Sequence, residues 1–246
     1  MAVPQRIVSL VPSLTELVWT LGAGERLVGR TRFCTEPQEM ALFVPEAGGT
    51  KNPDIAQIVR LRPDLVIANK EENRREDVEA LRAYGVRVVV TDPSTVAEAL
   101  DMILQVGTVI GTEEPARQLY SAIREAMGEA PERPVARVFV PIWRRPLMAM
   151  GGDCYGSDVL AVAGGENVFV NAARYPEVTL DEVARRKPDC ILLPDEPYRF
   201  SEPHIAEFEH IAPACVVPGQ WLWWYGPRMA TAIRELRRTL AEVAVR

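Results

Sequence analysis

Large aromatic side chains are the residues of this sequence best suited to bind another molecule, and most of them follow predicted strands. One predicted loop, 220–226, holds four rings, at Trp221, Trp223, Trp224 and Tyr225. Single rings stand in other predicted connections, at Phe33, Trp143, Tyr155, Tyr175 and Tyr198. Rings on loops supply contact area at low entropic cost. We therefore expect a large, flat, partly apolar ligand. The alternative is that Trp221 and its neighbours only close the edge of a sheet.

Two lysines and one cysteine could add polar contacts to these rings. Of the 28 cationic residues only three are lysines, and two of them, Lys51 and Lys70, lie on loops predicted to face the ligand. Cys34 stands beside Phe33 with arginines nearby, a setting in which a thiolate of lowered pKa could bind the metal of a chelate. The alternative for Cys34 is a small residue buried under its loop. The thiols of two further cysteines are predicted to be buried, at Cys190 and Cys215.

No set of residues indicates catalysis or a resident metal, so we expect neither an enzyme nor an intrinsic cofactor. His204 and His210 are six residues apart on one predicted short helix, which is not the i, i+4 spacing of a metal-binding pair. The four cysteines show no Cys-x-x-Cys spacing. The sequence also has no Gly-x-Ser-x-Gly elbow and no phosphate-binding loop. A net charge of -6 gives no reason to expect nucleic acid as a partner.

The elements that must position these residues occur twice along the chain. Segment 16–28 has a counterpart at 157–169, and segment 53–68 has one at 176–193. Around each copy, apolar runs alternate with amphipathic segments, which predicts parallel sheets covered by helices. The predicted fold class is therefore α/β, with two Rossmann-like lobes, each built on a parallel sheet, and a ligand cleft between them.

A long, rigid helix is predicted to join the two lobes. The predicted division is an N-terminal lobe over 1–111, a linking backbone helix over 112–130 and a C-terminal lobe over 131–246, with the helix broken at 129–134. Four helix N-termini are predicted from capping residues, at Ser13, Thr112, Ser157 and Thr179. A helix in place of extended strands between the lobes predicts limited closure.

Four segments carry a resemblance to a known family: 6–17, 48–54, 62–68 and 164–169. They resemble the helical-backbone substrate-binding proteins of ABC importers, and among these the cobalamin-binding branch. The resemblance extends over nearly the whole chain. It implies a monomeric binder that captures a cobalamin-like corrinoid and delivers it to an importer permease. The family also includes binders of haem, iron-siderophores and bare metal ions, and a bare metal would need a His/Asp/Glu cluster that two histidines on one helix do not provide.

The resemblance also implies positions for the ligand contacts and for the contacts with a permease. By motif position, ligand-facing residues fall near Phe33, Asn69, Met148 and Trp221. The cobalamin binders have aromatic residues at the positions of Asn69 and Met148. In this chain the rings of Trp143, Trp224 and Tyr225 are expected to compensate for the two missing rings. One acidic residue in each lobe would dock on permease arginines. The candidates are Glu76 or Glu72 in the first lobe and Glu209 or Glu207 in the second.

Two functions from different classes stay open. One is a corrinoid receptor that serves an importer, and the other is a cytoplasmic, non-transport relative that binds haem, an iron-siderophore or another metal chelate. The chain as written starts without an apolar signal segment and has no apolar run of roughly 18 residues, so a cytoplasmic location is expected. If a leader has been removed, the periplasm or cell envelope is expected instead.

Overall fold

The computed structural model describes residues 2–128 and 133–244, without the side chains of the last two of these residues. The described chain divides into two units. The first comprises the described residues of Met1–Pro93, Glu98–Ser121 and Tyr225–Pro227. The second comprises those of Ser94–Ala97, Ala122–Trp224 and Arg228–Arg246. The division therefore falls inside two long helices, and the linking segment predicted at 112–130 stays a prediction.

The first unit is built on a four-stranded parallel sheet in the order β2-β1-β3-β4. Its elements are β1 (Ile7–Ser9), α1 (Pro12–Val18), β2 (Leu27–Arg30), α2 (Gln38–Phe43), α3 (Ile55–Arg60), β3 (Leu65–Asn69), α4 (Arg75–Ala83), β4 (Val88–Thr91) and the greater parts of α5 (Val96–Ile110) and α6 (Glu113–Met127). A π-helical turn (Trp19–Ala23) and a 3-10 turn (Gly24–Arg26) lead from the first helix into the second strand.

The second unit repeats this construction with a four-stranded parallel sheet in the order β10-β9-β5-β8 and adds an antiparallel hairpin, β6–β7. Its elements are β5 (Ala136–Phe139), β6 (Pro141–Trp143), β7 (Met148–Ala149), α7 (Tyr155–Val162), β8 (Gly165–Asn167), α8 (Leu180–Arg186), β9 (Cys190–Pro194), a 3-10 helix (Glu202–Glu207), β10 (Ala214–Val217), α9 (Gln220–Trp223) and α10 (Met229–Ala244). The predicted α/β class with two lobes is confirmed.

Continuous apolar runs mark the central strands of both sheets. Every residue of β3 and of β9 is buried, as expected of parallel strands whose two faces are both covered. In the first unit Val8, Ile58 and Val66 belong to one core, and in the second Phe139 and Ile191 belong to another. Each unit therefore has a hydrophobic core of its own, which holds the ends of its strands in place.

One of the four predicted capping residues is confirmed as a cap. At Thr179 the hydroxyl accepts from Glu182 N at 3.2 Å, and the Glu182 carboxylate accepts from Thr179 N at 2.7 Å. This reciprocal pair is the predicted capping box of α8. Gly22 has a φ of +82°, the left-handed conformation that ends a helical path, and α1 is not continued past it.

The other three predicted capping residues form no side-chain cap, although α6 does begin directly after Thr112. Pro12 already starts α1, so Ser13 lies inside the first turn and caps nothing. Ser157 lies inside α7, which begins after Cys154, and its hydroxyl accepts from the Asn167 amide instead. Thr112 precedes α6, but its buried hydroxyl has no hydrogen-bond partner among the described residues. The helix break predicted at 129–134 lies mostly outside the described residues.

Candidate functional site

The first candidate surface, here called the first edge, consists of loops 31–37, 48–54 and 70–74 of the first unit. Two of these loops follow strands β2 and β3 at their carboxyl ends, where parallel sheets present ligand contacts. Arg32 N donates to Gly48 O at 2.9 Å, and Asn73 Nδ2 donates to Thr50 O at 2.9 Å, so the three loops are joined. Gly48 has a φ of +87°, and a β-carbon there would lie 2.6 Å from Asp54 N, so the turn requires glycine.

Phe33 is the aromatic side chain that the first edge leaves open. It is 55% exposed, and the Arg32 guanidinium lies 6.0 Å from its ring centroid. Gly49 lies beside the ring, since a β-carbon there would be 3.3 Å from Phe33 Cε2. Phe33 therefore lies on the loop after β2, as predicted, and more than half of its side chain is exposed.

Asn69 is buried, although its motif position predicts a ligand contact. Its side chain is 1% exposed, and its amide group donates to Thr91 O at 2.9 Å and to Thr91 Oγ1 at 3.2 Å. Its carbonyl oxygen accepts from Glu71 N at 2.8 Å and from Glu72 N at 3.3 Å. Because an asparagine amide has two donor hydrogens and two acceptor lone pairs, these four bonds use all of its capacity. Asn69 therefore holds the loop together.

The two candidate lysines have different surroundings. Lys51 is exposed and donates to Glu71 O, which ties loop 48–54 to the loop after β3. Lys70 is exposed as well, and its ammonium group lies 2.5 Å from Asp92 Oδ2. Both lysines stand on the first edge, but the Lys70 charge is already paired with a carboxylate.

Cys34 is buried, and the expectation of a reactive thiolate is wrong. The side chain is 0% exposed, and its sulfur lies 3.1 Å from Thr31 Oγ1. Burial raises the pKa of the Cys34 thiol, and this effect outweighs the hydrogen bonds from Thr15 and Thr31 and the charge of Arg30. The alternative of a small residue beneath the loop is what the structure shows.

The second candidate surface, here called the second edge, consists of hairpin β6–β7 and segments 170–176, 195–200 and 218–224 of the second unit. In the hairpin Trp143 pairs directly with Met148, so the two candidate side chains stand on one face. Trp143 is 43% exposed and Met148 is half-buried. Met148 also bridges to Glu177, which brings the segment carrying Tyr175 beside the hairpin. Trp143 is part of a strand, and not of the loop predicted for it.

Tyr175 is half-buried on this second edge. The guanidinium of Arg174 lies 5.4 Å from its ring centroid. Gly151 N donates to Arg174 O at 2.7 Å, which fixes this segment to the backbone that follows β7. Tyr175 therefore joins Trp143 and Met148 at one edge of the second unit.

The predicted aromatic loop at 220–226 is wrong in its secondary structure, because Gln220–Trp223 forms the short helix α9. Trp221 is half-buried, whereas Trp224 and Tyr225 are only 8% and 6% exposed. Trp223 Nε1 donates to Glu196 O at 2.7 Å. The rings of Trp224 and Tyr225 are thus largely occupied within the protein and leave little area for a ligand.

Three other assignments differ from the expectation. Tyr155 is buried at the start of α7, and burial raises the pKa of its hydroxyl, so it offers no open ring face. Cys190 is buried as predicted, but Cys215 is half-buried. His210 lies beyond the 3-10 helix that holds His204, so the two histidines do not share one helix.

The four acidic candidates for permease docking differ in availability. Glu76 and Glu209 are exposed. Glu72 is half-buried, and burial raises the pKa of its carboxyl group. Glu207 accepts from Arg144 Nε at 2.9 Å, and the hydrogen bond from Arg144 is the main cause that lowers its pKa. The open carboxylates are therefore those of Glu76 and Glu209.

Sequence reasoning placed Tyr198 among the candidate rings but missed the contacts that support Trp143. The Tyr198 ring meets Trp143 edge-on with centroids 5.5 Å apart, and Arg144, the next residue, donates to Glu207. The role of Arg144 depends on a contact 63 positions along the chain, which no local pattern encodes.

Among residues 2–128 and 133–244, no group of three or more His, Cys, Asp or Glu side chains could hold a metal ion. Within the same part of the chain, none of the helices combines the length and the apolar character that crossing a bilayer requires.

Comparison with known proteins identifies the family. The family model described as periplasmic binding protein matches residues 7–209. A vitamin B12-binding protein of Pectobacterium carotovorum is 25% identical over 248 residues, which cover 96% of this chain and 88% of that protein. The vitamin B12-binding protein of Pectobacterium atrosepticum is 26% identical over 258 residues, covering 98% and 90%.

Solved structures show the same fold. The periplasmic vitamin B12-binding protein BtuF of Vibrio cholerae has a TM-score of 0.84 at 22% identity, with 99% of this chain and 98% of that chain covered. The periplasmic haem-binding protein RhuT of Roseiflexus sp. RS-1, in its apo form, has a TM-score of 0.83 at 21% identity, with 98% and 99% covered. Because the family model spans most of the described chain, this protein belongs to the periplasmic binding protein family.

Proposed function

We propose that this protein binds a cobalamin-like corrinoid and delivers it to an ABC importer, acting by binding and not by catalysis. The observation that carries the proposal is the exposed hairpin in which Trp143 pairs with Met148. An indole ring beside a thioether is a surface suited to a flat, partly apolar macrocycle. A corrinoid brings its own equatorial metal ligands, so its binder has to supply contact area and no cluster of metal ligands. The vitamin B12-binding relatives, 25% and 26% identical, support the same ligand class.

The proposed ligand contacts are those candidates that the structure leaves accessible: Phe33 and Lys51 on the first edge, and Trp143, Met148, Tyr175 and Trp221 on the second. Burial removes other candidates from the proposal, namely Cys34, Asn69, Tyr155, Trp224 and Tyr225. Lys70 is retained only as a surface charge paired with Asp92. The proposal therefore places most of the accessible ring area on the second edge.

Titration calorimetry of the purified protein with cyanocobalamin, dicyanocobinamide and haemin tests the ligand class. We expect both corrinoids to bind with a Kd below about 100 µM, which corresponds to about -5.5 kcal/mol. Comparison of the two corrinoids shows whether the nucleotide loop of cobalamin contributes. Binding of haemin with no binding of either corrinoid would show that the corrinoid assignment is wrong.

Haem is the second candidate ligand, and the half-buried position of Tyr175 favours it. Tyrosine is one of the residues that ligate haem iron in proteins, and Tyr175 is half-buried beside the Arg174 guanidinium. Tyr175→Phe separates the two functions, because it removes the phenol oxygen and keeps the ring. A haem binder should lose its haem-iron absorption bands and much of its affinity, whereas corrinoid affinity should change less than about 2-fold.

For the importer, we propose Glu76 and Glu209 as the docking carboxylates, because Glu72 is half-buried and Glu207 is paired with Arg144. Glu76→Arg and Glu209→Arg should lower corrinoid uptake by cells that carry the partner permease. Neither change should alter the affinity of the purified protein for cyanocobalamin. Glu113→Arg, at an exposed position on α6, is the matched control. Equal uptake by all three variants would show that the docking assignment is wrong.

A further inference from the structure

The exposed Trp143 ring is attached to the core through a series of aromatic contacts. It meets Tyr198 edge-on at 74°, with ring centroids 5.5 Å apart. Tyr198 lies 4.7 Å from Phe200, and Phe200 lies 6.2 Å from Phe208, both of which are buried. Pairs at these separations stabilise each other beyond the area that they bury. The solvent-facing indole is therefore supported from the core outward.

A second set of contacts fixes the hairpin that carries Trp143. Arg144, the residue after Trp143, donates from Nε to Glu207 Oε2 at 2.9 Å and from Nη2 to Glu207 Oε1. These hydrogen bonds to Glu207 are the main cause that raises the pKa of Arg144, and the nearby Tyr198 hydroxyl raises it as well. Glu207 is the last residue of the 3-10 helix, so this fork connects that helix to hairpin β6–β7.

The geometry of these contacts separates them from an ordinary surface ion pair. Exposed salt bridges contribute little, but a two-point arginine fork that belongs to a network is the recognised exception. The Arg144 and Glu207 side chains are 24% and 37% exposed, so water covers only part of the pair. The fork therefore fixes the hairpin next to Trp143, while Tyr198 packs between Phe200 and the Trp143 ring.

We propose that Arg144 and Glu207 are positioning residues that fix hairpin β6–β7, and with it the Trp143 ring against Tyr198, in the orientation that receives the flat face of the ligand. The proposal rests on the proposed function, in which Trp143 contacts a corrinoid. Ordering a free side chain on binding costs affinity, and an already ordered ring avoids that cost. Glu207 thereby acts in ligand binding and not in permease docking.

A double-mutant cycle in purified full-length protein tests this assignment. Cyanocobalamin affinity is measured by calorimetry for wild type, Trp143→Ala, Glu207→Gln and the double variant. Glu207→Gln should weaken binding about 3- to 10-fold, the range expected for one side chain that has to be ordered on binding. In the Trp143→Ala background the same change should have less than about a 2-fold effect, because the ring that it positions is gone.

Two further variants serve as controls. Glu209→Gln removes an exposed carboxylate two residues away and should leave affinity within about 2-fold of wild type. Arg144→Lys keeps the charge but loses the two-point fork, so it should weaken binding to about the same extent as Glu207→Gln. This lysine variant keeps the test decisive if Glu207→Gln folds poorly, and melting curves identify such a failure.

The outcomes separate the positioning role from the ligand assignment. If wild type binds cyanocobalamin but the Trp143 and Glu207 effects multiply in the double variant, the positioning role is overturned and the proposed function stands. Unchanged affinity in both Glu207→Gln and Arg144→Lys has the same meaning. If wild type binds haemin instead, coupling measured with haemin supports the positioning role while the corrinoid assignment fails. If neither molecule binds, both proposals fail.

Discussion

Replacing Trp143 by alanine tests how much of the ring contributes to ligand binding and how much contributes to the stability of the fold. The side chain is 43% exposed, and its inner part rests on Tyr198. Truncation therefore removes a surface that is open to solvent in the ligand-free protein. The hydrophobic cores of both units are left intact, because Trp143 belongs to neither of them.

The expected loss of affinity follows from the exposed fraction. If a fully exposed tryptophan presents about 250 Å², the 43% that is open corresponds to about 100 Å² that a ligand could cover. At about 25 cal/mol per Å², covering half to all of that area contributes about 1.2 to 2.5 kcal/mol. Trp143→Ala should therefore raise the Kd for cyanocobalamin about 8- to 70-fold.

The stability cost comes from the part of the side chain that is buried in the fold, about 140 Å² or up to about 3.5 kcal/mol at the same coefficient, and from the lost edge-on aromatic pair, about 0.5–1.5 kcal/mol. For a protein of this size the melting temperature should fall by up to about 20 °C. Calorimetric titration and thermal denaturation measure the two effects separately. Tyr84→Ala is the control, because Tyr84 is 66% exposed and follows α4, before β4 begins, at the amino ends of the first sheet. Unaltered affinity in Trp143→Ala, or an equal loss in Tyr84→Ala, would refute this reasoning.

Three other outcomes are expected. Asn69→Ala should destabilise the protein by about 2–4 kcal/mol in urea unfolding, because two or more buried partners lose their hydrogen bonds, and it should change cyanocobalamin affinity less than about 2-fold. In timed iodoacetamide labelling read by mass spectrometry, Cys34 should react slowly with or without ligand, because burial raises its pKa, and the half-buried Cys215 should react first. Arg144 lowers the folded-state pKa of Glu207, so the stabilisation by this pair should be complete above about pH 4.3, the unfolded value, and should be lost as the pH falls through the lower folded value. Urea unfolding of wild type and Glu207→Gln between about pH 3 and pH 7 measures that difference, and parallel curves would count against it.

The sequence permits prediction of the elements whose signals are local. Strand β9 is apolar along its whole length and strand β3 as far as Ala68, because helices cover both faces of a parallel sheet. The capping box at Thr179 consists of two residues, three positions apart, that hydrogen-bond each other's backbone N–H groups. The local sequence is therefore enough to predict it. Such features need no knowledge of the rest of the chain.

The wrong predictions concern residues whose role is set by distant contacts. Ser157 has the sequence context of a helix cap, yet its buried hydroxyl accepts a hydrogen bond from Asn167 on strand β8. Cys34 stands near arginines in the sequence, but the fold buries its sulfur against Thr31, and burial determines the pKa. Sequence spacing shows which groups are near one another and does not show how much water reaches them.

Exposure also explains why rings at equivalent-looking positions take different roles. Both Trp224 and Trp143 are predicted on loops after strands, but Trp224 is 8% exposed and Trp143 is 43% exposed. A ring that is already buried in the fold has little apolar area left exposed to water, so a ligand gains little free energy by covering it. At position 69 the polar side chain ties its loop to Thr91, and the first edge keeps Phe33 as its open ring. Ligand recognition in the proposed function therefore depends on the rings that the fold leaves exposed, and above all on the hairpin ring with its Arg144–Glu207 support.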